Sequence, residues 1–172
     1  MADDERAVGE ASTSAEVDRL NDSSDYQLCF ACGAQNIQGL RLHFWREGAV
    51  VVTEFTPDVR FQGFPGVVHG GIIATLLDET LNRTAFAKGR WMMTAKLEIR
   101  YKNAAPIGRT LRVTARPIIS RSRLVTAEGE VTLADEPGTV LASAEGSFLA
   151  ITDEYKRQAI EANPAMAGFF DQ

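Results

Sequence analysis

The chain has 172 residues, 45% of them apolar, and a net charge of −5 at neutral pH. This composition is typical of one domain with a single good core and tails, and the acidic balance argues against general nucleic-acid binding. No apolar run approaches the roughly 20 residues of a membrane span, and the acidic start of the chain lacks a signal-peptide pattern. We therefore expect a cytoplasmic protein with neither a nucleic-acid nor a membrane partner.

Residues 1–24 are rich in Asp, Glu, Ser and Ala, which predicts a flexible tail. Cys29 and Cys32 follow, at a spacing that supplies half of a zinc site or a redox pair. The chain has no other cysteine, and its only histidines are His43 and His69. Because His69 lies at the predicted start of a helix, we favour a turn that packs two small thiols and expect no metal site. A zinc ion shared between two chains is the open alternative.

The next segments predict a hairpin and then a long helix. Residues 40–46 and 50–55 alternate between apolar and polar side chains, as paired strands do. A Gly- and Pro-rich loop, residues 61–68, leads to the next segment. After Gly71 this segment contains no Gly or Pro as far as about Ala87. This pattern predicts a helix that begins near His69-Gly70-Gly71.

The predicted helix has two unlike faces, at about 100° of rotation per residue. One face is apolar and predicts contact with the core. The other is small and polar with one carboxylate, Asp78, and suits the close approach of another chain or a ligand. The apolar face holds Ile73, Leu76, Leu77, Thr80 and Thr84, and the small face holds Gly71, Ala74, Thr75, Asp78 and Asn82.

The start of this helix has a functional and a structural interpretation. Gly70 and Gly71 bring bare backbone N–H groups to a point where the helix dipole places partial positive charge. Such groups stabilise an oxyanion, or a carbonyl that becomes one. Alternatively, the two glycines only allow the helix to begin against a crowded sheet, and Asp78 pairs with a nearby arginine.

Four strands are predicted after the helix, over residues 93–101, 111–116, 125–133 and 139–151. The short connections predict antiparallel neighbours, and a short helix follows at 153–161. Small residues on the inner faces leave room for the central helix. We therefore predict an α+β fold in which an antiparallel sheet of about six strands wraps around one helix, with exposed edges that favour pairing with a second copy. On the first of these strands, Met93, Ala95, Leu97, Ile99 and Tyr101 are expected on one face and Thr94, Lys96, Glu98 and Arg100 on the other.

Residues 99–127 contain seven basic residues and no acidic residue. This local excess suits a small polyanionic ligand such as a phosphorylated cofactor, with Arg121 and Arg123 as candidate contacts. Solvated strand faces that discourage edge pairing are the alternative. The seven residues are Arg100, Lys102, Arg109, Arg112, Arg116, Arg121 and Arg123.

Several of these motifs together resemble the hotdog-fold thioesterases, in particular the PaaI-like branch of the 4-hydroxybenzoyl-CoA thioesterase superfamily. The resemblance covers about residues 29–151, so we expect a hotdog domain at 25–152 between the tail and a C-terminal helix and tail at 153–172. The features that carry it are His69-Gly70-Gly71 followed by Asp78, Thr94 and Tyr101 on the next strand, the Ala105-Pro106-x-Gly108 turn, and the Cys29-x-x-Cys32-Gly33 opening.

The resemblance implies an acyl-CoA thioesterase with its pocket at the interface of a homodimer or a dimer of dimers, and it implies no cofactor. Asp78 matches the catalytic carboxylate, acting as base or nucleophile, and the Gly70 N–H matches the group that polarises the thioester carbonyl. Thr94 of the partner subunit matches a hydroxyl that helps to hold the water. His69 and Gly71 border the substrate, with His69 more structural than catalytic. No G-x-S-x-G motif is present, which fits an activated thioester that needs no serine nucleophile.

One position departs from the family pattern. Several members carry Asn or Gln six residues before the histidine, where this chain has Gly63, and Gln62 is the adjacent amide. The departure leaves open a non-catalytic acyl-CoA-binding module on the same fold. A dehydratase or hydratase is a third alternative, although those enzymes usually pair a histidine with a carboxylate, an arrangement for which His69 is not well placed.

Overall fold

The computed structural model describes residues 27–86, 91–164 and 166–170. The expected tail at residues 1–24 lies outside the described residues. The secondary-structure elements are β1 (Phe44–Glu47), β2 (Val50–Phe55), α1 (Gly70–Phe86), β3 (Met92–Tyr101), β4 (Leu111–Ser120), β5 (Leu124–Leu133), β6 (Glu136–Ala150), α2 (Asp153–Ala162) and α3 (Met166–Phe170).

The six strands form one antiparallel sheet in the order β1-β2-β4-β5-β6-β3. The predicted α+β class and the order of strands around the central helix are confirmed. Chain order and sheet order differ at β3, which follows α1 but pairs with β6 at the far edge of the sheet. Through this crossover, β3 lies beside α1, the helix that directly precedes it in the chain.

The central helix packs its predicted apolar face against the sheet. Leu76, Leu77 and Leu81 are completely buried, and burying a leucine side chain contributes roughly 1.5–3 kcal/mol. Small residues on the sheet allow this close approach, because a Cβ atom at Gly129 would lie 2.7 Å from Cδ1 of Leu81. A Cβ atom at Gly146 would lie 3.2 Å from Cδ2 of the same leucine.

The first strand is shorter than predicted, because residues 40–43 make other hydrogen bonds. The Leu40 and Leu42 N–H groups donate to the carbonyl oxygens of Phe30 and Ala31, at 2.8 and 2.9 Å. Both leucines and Ala31 are buried. The segment that contains the two cysteines is therefore tied to the chain entering β1.

A β-bulge in β3 changes which residues face the helix. The register runs from the pair Thr94–Phe148 to the pair Lys96–Ser147, leaving Ala95 as an extra residue. Paired residues point to the same side of a sheet, and Phe148 is completely buried. Thr94 therefore lies on the helix side of the sheet and Met93 on the outer side. The predicted alternation of side chains between the two faces of β3 is thus wrong before the bulge and right for residues 97–101.

The chain ends with two short helices where the sequence predicts one. Thr152 caps α2 by accepting the Tyr155 N–H at 3.1 Å, which confirms the predicted helix. In α3, the ring of Phe170 meets that of Trp91 edge to face, with centroids 6.1 Å apart. No helix within the described residues is long and apolar enough to cross a bilayer.

Candidate active site

The histidine of the His-Gly-Gly motif caps the central helix. Nδ1 of His69 accepts the Gly71 N–H at 2.9 Å, and the His69 carbonyl oxygen accepts the Ile72 N–H at 2.9 Å. Both groups satisfy helix N–H donors that have no partner within the helix. The bond to Nδ1 supports the structural role that the resemblance implies for His69.

The loop before the helix is held by the turn that the resemblance singled out. The Val68 N–H donates to the Ala105 carbonyl at 2.8 Å, and the Ile107 N–H donates to the Gly66 carbonyl at 3.0 Å. The His69 N–H donates to the Phe61 carbonyl at 2.8 Å. These bonds fix the direction in which the first N–H groups of α1 point.

Gly70 is the first residue of α1 and presents a free donor. Its N–H makes no hydrogen bond to another group among the described residues. Its carbonyl accepts the Tyr101 hydroxyl at 2.9 Å, which anchors the helix start to the end of β3. An anion or polarised carbonyl at this point would meet both the donor and the positive end of the helix dipole.

Asp78 lies on α1, two turns further along, and is bonded to Thr94. The Thr94 hydroxyl donates to Oδ1 of Asp78 at 2.8 Å. The Asn82 amide, one turn later on the same face, donates to the Met92 carbonyl at 3.2 Å and so holds the start of β3 against the helix. The bulge at Ala95 turns Thr94 inward, so these two candidate site residues lie together within one chain. The expected role of a partner's Thr94 in holding the water stays a prediction.

Burial raises the pKa of Asp78 above its ordinary value, and the neighbouring charge of Glu79 raises it further. The hydrogen bond from Thr94 acts in the opposite direction. Carboxylates with a raised pKa accept protons more readily once ionised. Asp78 therefore combines burial, a hydroxyl partner and the electrostatics of a general base, while the alternative of a simple pair with arginine is not realised among the described residues.

Gly63 and Gln62 do not supply a side-chain amide at the helix start. A Cβ atom at Gly63 would lie 3.1 Å from the Cα atom of His69, so the loop packs directly on the histidine. The Gln62 side-chain oxygen accepts the Gly66 N–H at 3.1 Å and stabilises its own loop. The structure therefore does not place a side-chain amide from another residue of this loop where the family pattern has one.

Comparison with known proteins shows which proteins this chain is similar to. Residues 65–140, from the loop before α1 to the first part of β6, match the model of the Thioesterase superfamily. This part of the chain is therefore similar to that superfamily. The hotdog domain is 43% identical over 54 residues to acyl-coenzyme A thioesterase THEM5 of Mus musculus, a match that covers 31% of this chain and 22% of that protein.

Solved structures share the hotdog fold over a larger part of the chain. The thioesterase superfamily protein RHA08564 is 31% identical, with a TM-score of 0.65 over 72% of this chain and 60% of that chain. The PaaI protein of E. coli is 19% identical, with a TM-score of 0.57 over 66% of this chain and 81% of that chain, and therefore shares the fold. The chain spans less than a quarter of THEM5 and less than two thirds of RHA08564.

The basic segment at residues 99–127 of the hotdog domain is partly neutralised, because three of its seven basic residues are paired with acids from other strands or turns. Three of its arginines form ion pairs across the sheet or its turns, which the linear sequence conceals. Such pairs lower the positive potential that the sequence predicts for this segment. The pairs are Arg109 with Asp135 and Glu136, Arg112 with Glu47 and Glu54, and Arg116 with Glu128.

Arg121 and Arg123 remain exposed in the turn between β4 and β5. The Arg123 carbonyl accepts the Ala150 N–H at 3.1 Å, and Ala150 is paired with Met92 at the start of β3. The turn therefore lies at the same end of the sheet as Thr94. Their predicted role in binding phosphate is compatible with this position and stays a prediction.

The structure also brings together residues that the sequence analysis did not connect. Cys29 and Cys32 contact Glu79 and Arg83 of α1, on the turn that also carries Asp78. The hydrogen bond from the Cys32 thiol lowers the pKa of Cys29 to about 6, and the same bond raises the pKa of Cys32. The spacing of Glu79 and Arg83 by four residues was the one available signal, since it places both on one helix face.

Proposed function

We propose that this chain is an acyl-CoA thioesterase that hydrolyses a CoA thioester to the free acid and CoA. The observation that carries the proposal is the half-buried Asp78 carboxylate, whose pKa is raised and which the Thr94 hydroxyl holds in place. The relative THEM5 is named for acyl-coenzyme A hydrolysis, which supports the substrate class.

In the proposed reaction, Asp78 removes a proton from water as the water oxygen attacks the thioester carbonyl. The Gly70 N–H and the helix dipole stabilise the negative charge that develops on the carbonyl oxygen. The C–S bond then breaks, the carboxylic acid forms, and CoA leaves as a thiolate that takes up the proton. If Asp78 instead attacks directly, a mixed anhydride forms and water hydrolyses it in a second step.

Helix geometry favours a site shared by two copies of the chain. Gly70 and Asp78 are eight residues apart on one helix, which is about 12 Å along its axis. One thioester carbon cannot contact both groups of the same helix at reacting distance. We therefore propose a homodimer in which Gly70 of one chain faces the Asp78–Thr94 pair of the other, with Gly71 and His69 bordering the acyl group.

The CoA moiety carries phosphates that need basic contacts. We propose that Arg121 and Arg123 provide them, because both are exposed at the end of the sheet where β3 begins.

A non-catalytic acyl-CoA-binding module is the second candidate. It is favoured by one observation, the absence of a side-chain amide at the helix start, where Gly63 packs on His69 and Gln62 bonds its own loop. Such a module would bind CoA thioesters saturably in calorimetry without releasing thiol.

The decisive experiment measures thiol release from short, medium, long and aryl acyl-CoAs. The parent is compared with Asp78→Asn and with Asp135→Asn, which alters an exposed carboxylate in the turn between β5 and β6. Loss of a general base costs about 10²- to 10⁴-fold in rate, so Asp78→Asn should lose activity while Asp135→Asn keeps it. Full activity of Asp78→Asn refutes the mechanism, and saturable binding without turnover by the parent favours the binding module. A protein-only blank corrects for the two cysteines.

A further inference from the structure

The two cysteines form a polar cluster with α1 that the proposed reaction does not use. Sγ of Cys29, Sγ of Cys32 and a carboxylate oxygen of Glu79 all lie within 4.8 Å of one another, and all three residues are half-buried. A zinc ion with bonds of about 2.0–2.3 Å holds such atoms roughly 3.3–3.8 Å apart. The three side chains are thus close to the spacing that one ion requires.

The cysteine turn is preorganised for sulfur ligands. The Gly33 N–H donates to the Cys29 carbonyl at 2.9 Å, closing a tight turn. Glycine is required after the second cysteine, because a Cβ atom at Gly33 would lie 2.4 Å from the Gln27 carbonyl oxygen. The tight turn therefore holds the two cysteines in place for binding a metal through their thiolates.

Glu79 can offer its second oxygen to a metal. Arg83 donates twice to Oε1 of Glu79, at 2.8 and 3.2 Å, so both of these bonds use one oxygen and leave Oε2 for an ion. The same guanidinium donates to Sγ of Cys32 at 2.9 Å and lies 4.9 Å from the centre of the Phe44 ring. Hydrogen bonds of this kind orient metal ligands from the outer coordination sphere.

Charge balance also favours a divalent cation. Two thiolates and one carboxylate carry three negative charges, and the Arg83 guanidinium offsets only one of them. A divalent ion would make the half-buried cluster neutral and so avoid the cost of uncompensated buried charge. Thiolate ligands select zinc over magnesium or calcium.

We propose that Cys29, Cys32 and Glu79 bind one zinc ion, with Arg83 as an outer-sphere partner and water in the fourth position. The ion joins the segment before β1 to the turn of α1 that also carries Asp78. Its role is to clamp this segment onto the central helix, because metal binding to the folded state adds to stability.

Cobalt titration of the reduced, metal-free protein tests the proposal without reference to activity. The parent should bind one equivalent and develop near-ultraviolet sulfur-to-cobalt charge-transfer absorption together with visible bands of a tetrahedral ion. Cys32→Ser should lose most of the charge-transfer absorption, and Glu79→Gln should weaken binding about tenfold or more. Glu98→Gln, which changes an exposed glutamate on β3, is the matched control and should bind as the parent does.

Thiol protection in the parent provides a test that does not depend on whether the variants fold. One equivalent of zinc should slow alkylation of both cysteines and raise the melting temperature of the parent. Equal alkylation rates with and without zinc, or cobalt binding without charge-transfer absorption, overturns the proposal.

Discussion

Thr94 on β3 and Asp78 on α1 belong to the same chain, and a hydrogen bond of 2.8 Å joins the hydroxyl to the carboxylate. This contact depends on the bulge at Ala95, which turns Thr94 toward the helix while Lys96 and the following alternate residues point outward. Bulges beside active sites often redirect one side chain in this way. In the proposed dimer, a second copy of the chain would add the Gly70 end of its helix to this pair.

The pH dependence of hydrolysis tests the role of this hydrogen bond. Asp78 acts as a base only when ionised, so kcat/KM should fall as the pH is lowered through its raised pKa. The Thr94 hydroxyl lowers this pKa, so Thr94→Val should move the acidic limb of the profile to higher pH. The measurement is kcat/KM from pH 4 to about 9 for the two proteins.

The matched control for this profile is Thr139→Val, which removes an exposed hydroxyl near the start of β6. Its acidic limb should coincide with that of the parent. An unchanged limb in Thr94→Val would mean that the hydrogen bond does not tune the catalytic carboxylate.

The Gly70 N–H can be removed without removing the helix. Proline is tolerated as the first helical residue, where its missing N–H breaks no bond within the helix. Gly70→Pro should lower kcat by about 10²- to 10³-fold, the cost of one oxyanion donor in other enzymes. Gly70→Ala keeps the donor, and its Cβ would meet the Tyr101 ring at an ordinary 3.6 Å, so it should retain near-parent activity.

Circular dichroism checks that Gly70→Pro keeps its helix content. Equal losses in the alanine and proline variants would point to crowding at Tyr101, and equal retention would show that this N–H does not stabilise the transition state.

Mixing two inactive variants tests whether two chains share one site. In a mixed dimer of Gly70→Pro and Asp78→Asn, one site combines both changes and the other combines none. Random exchange of subunits should then restore about a quarter of the parent activity. If each site lies within one chain, both sites of the mixed dimer are inactive and no activity returns. Native mass spectrometry of the mixture confirms that exchange has occurred.

Local patterns predicted much of this architecture and missed specific parts of it. The two faces of α1 followed from helical periodicity, and burial of Leu76 and Leu77 confirms the core face. The bulge at Ala95 was not predictable, because an extra residue changes the alternation without leaving a Gly or Pro signal. The predicted alternation consequently places Thr94 on the wrong side of β3, and its predicted role as a hydroxyl that helps to hold the water stays a prediction.

Contacts between distant segments explain the remaining differences. The segment at residues 99–127 reads as strongly basic in sequence, yet Arg112 is paired with Glu47 and Glu54 from the first hairpin. Likewise, Glu79 approaches Cys29 and Cys32 only because residues 40–43 tie the cysteine turn to the sheet. Pairings between segments this far apart depend on the three-dimensional fold and have no local signature.

A glycine on β5 is expected to be essential for the packing of α1. A Cβ atom at Gly129 would lie 2.5 Å from the Thr114 carbonyl oxygen and 2.7 Å from Cδ1 of Leu81. Because the carbonyl belongs to the backbone of β4, the strain cannot be relieved by a rotamer change alone. Gly129→Ala should lower the free energy of unfolding by about 1–3 kcal/mol, measured by urea denaturation. Gly138→Ala is the control, since a Cβ atom at Gly138 would have no neighbour within 4 Å among the described residues. If Gly129→Ala is as stable as Gly138→Ala, the close contact between helix and sheet is contradicted.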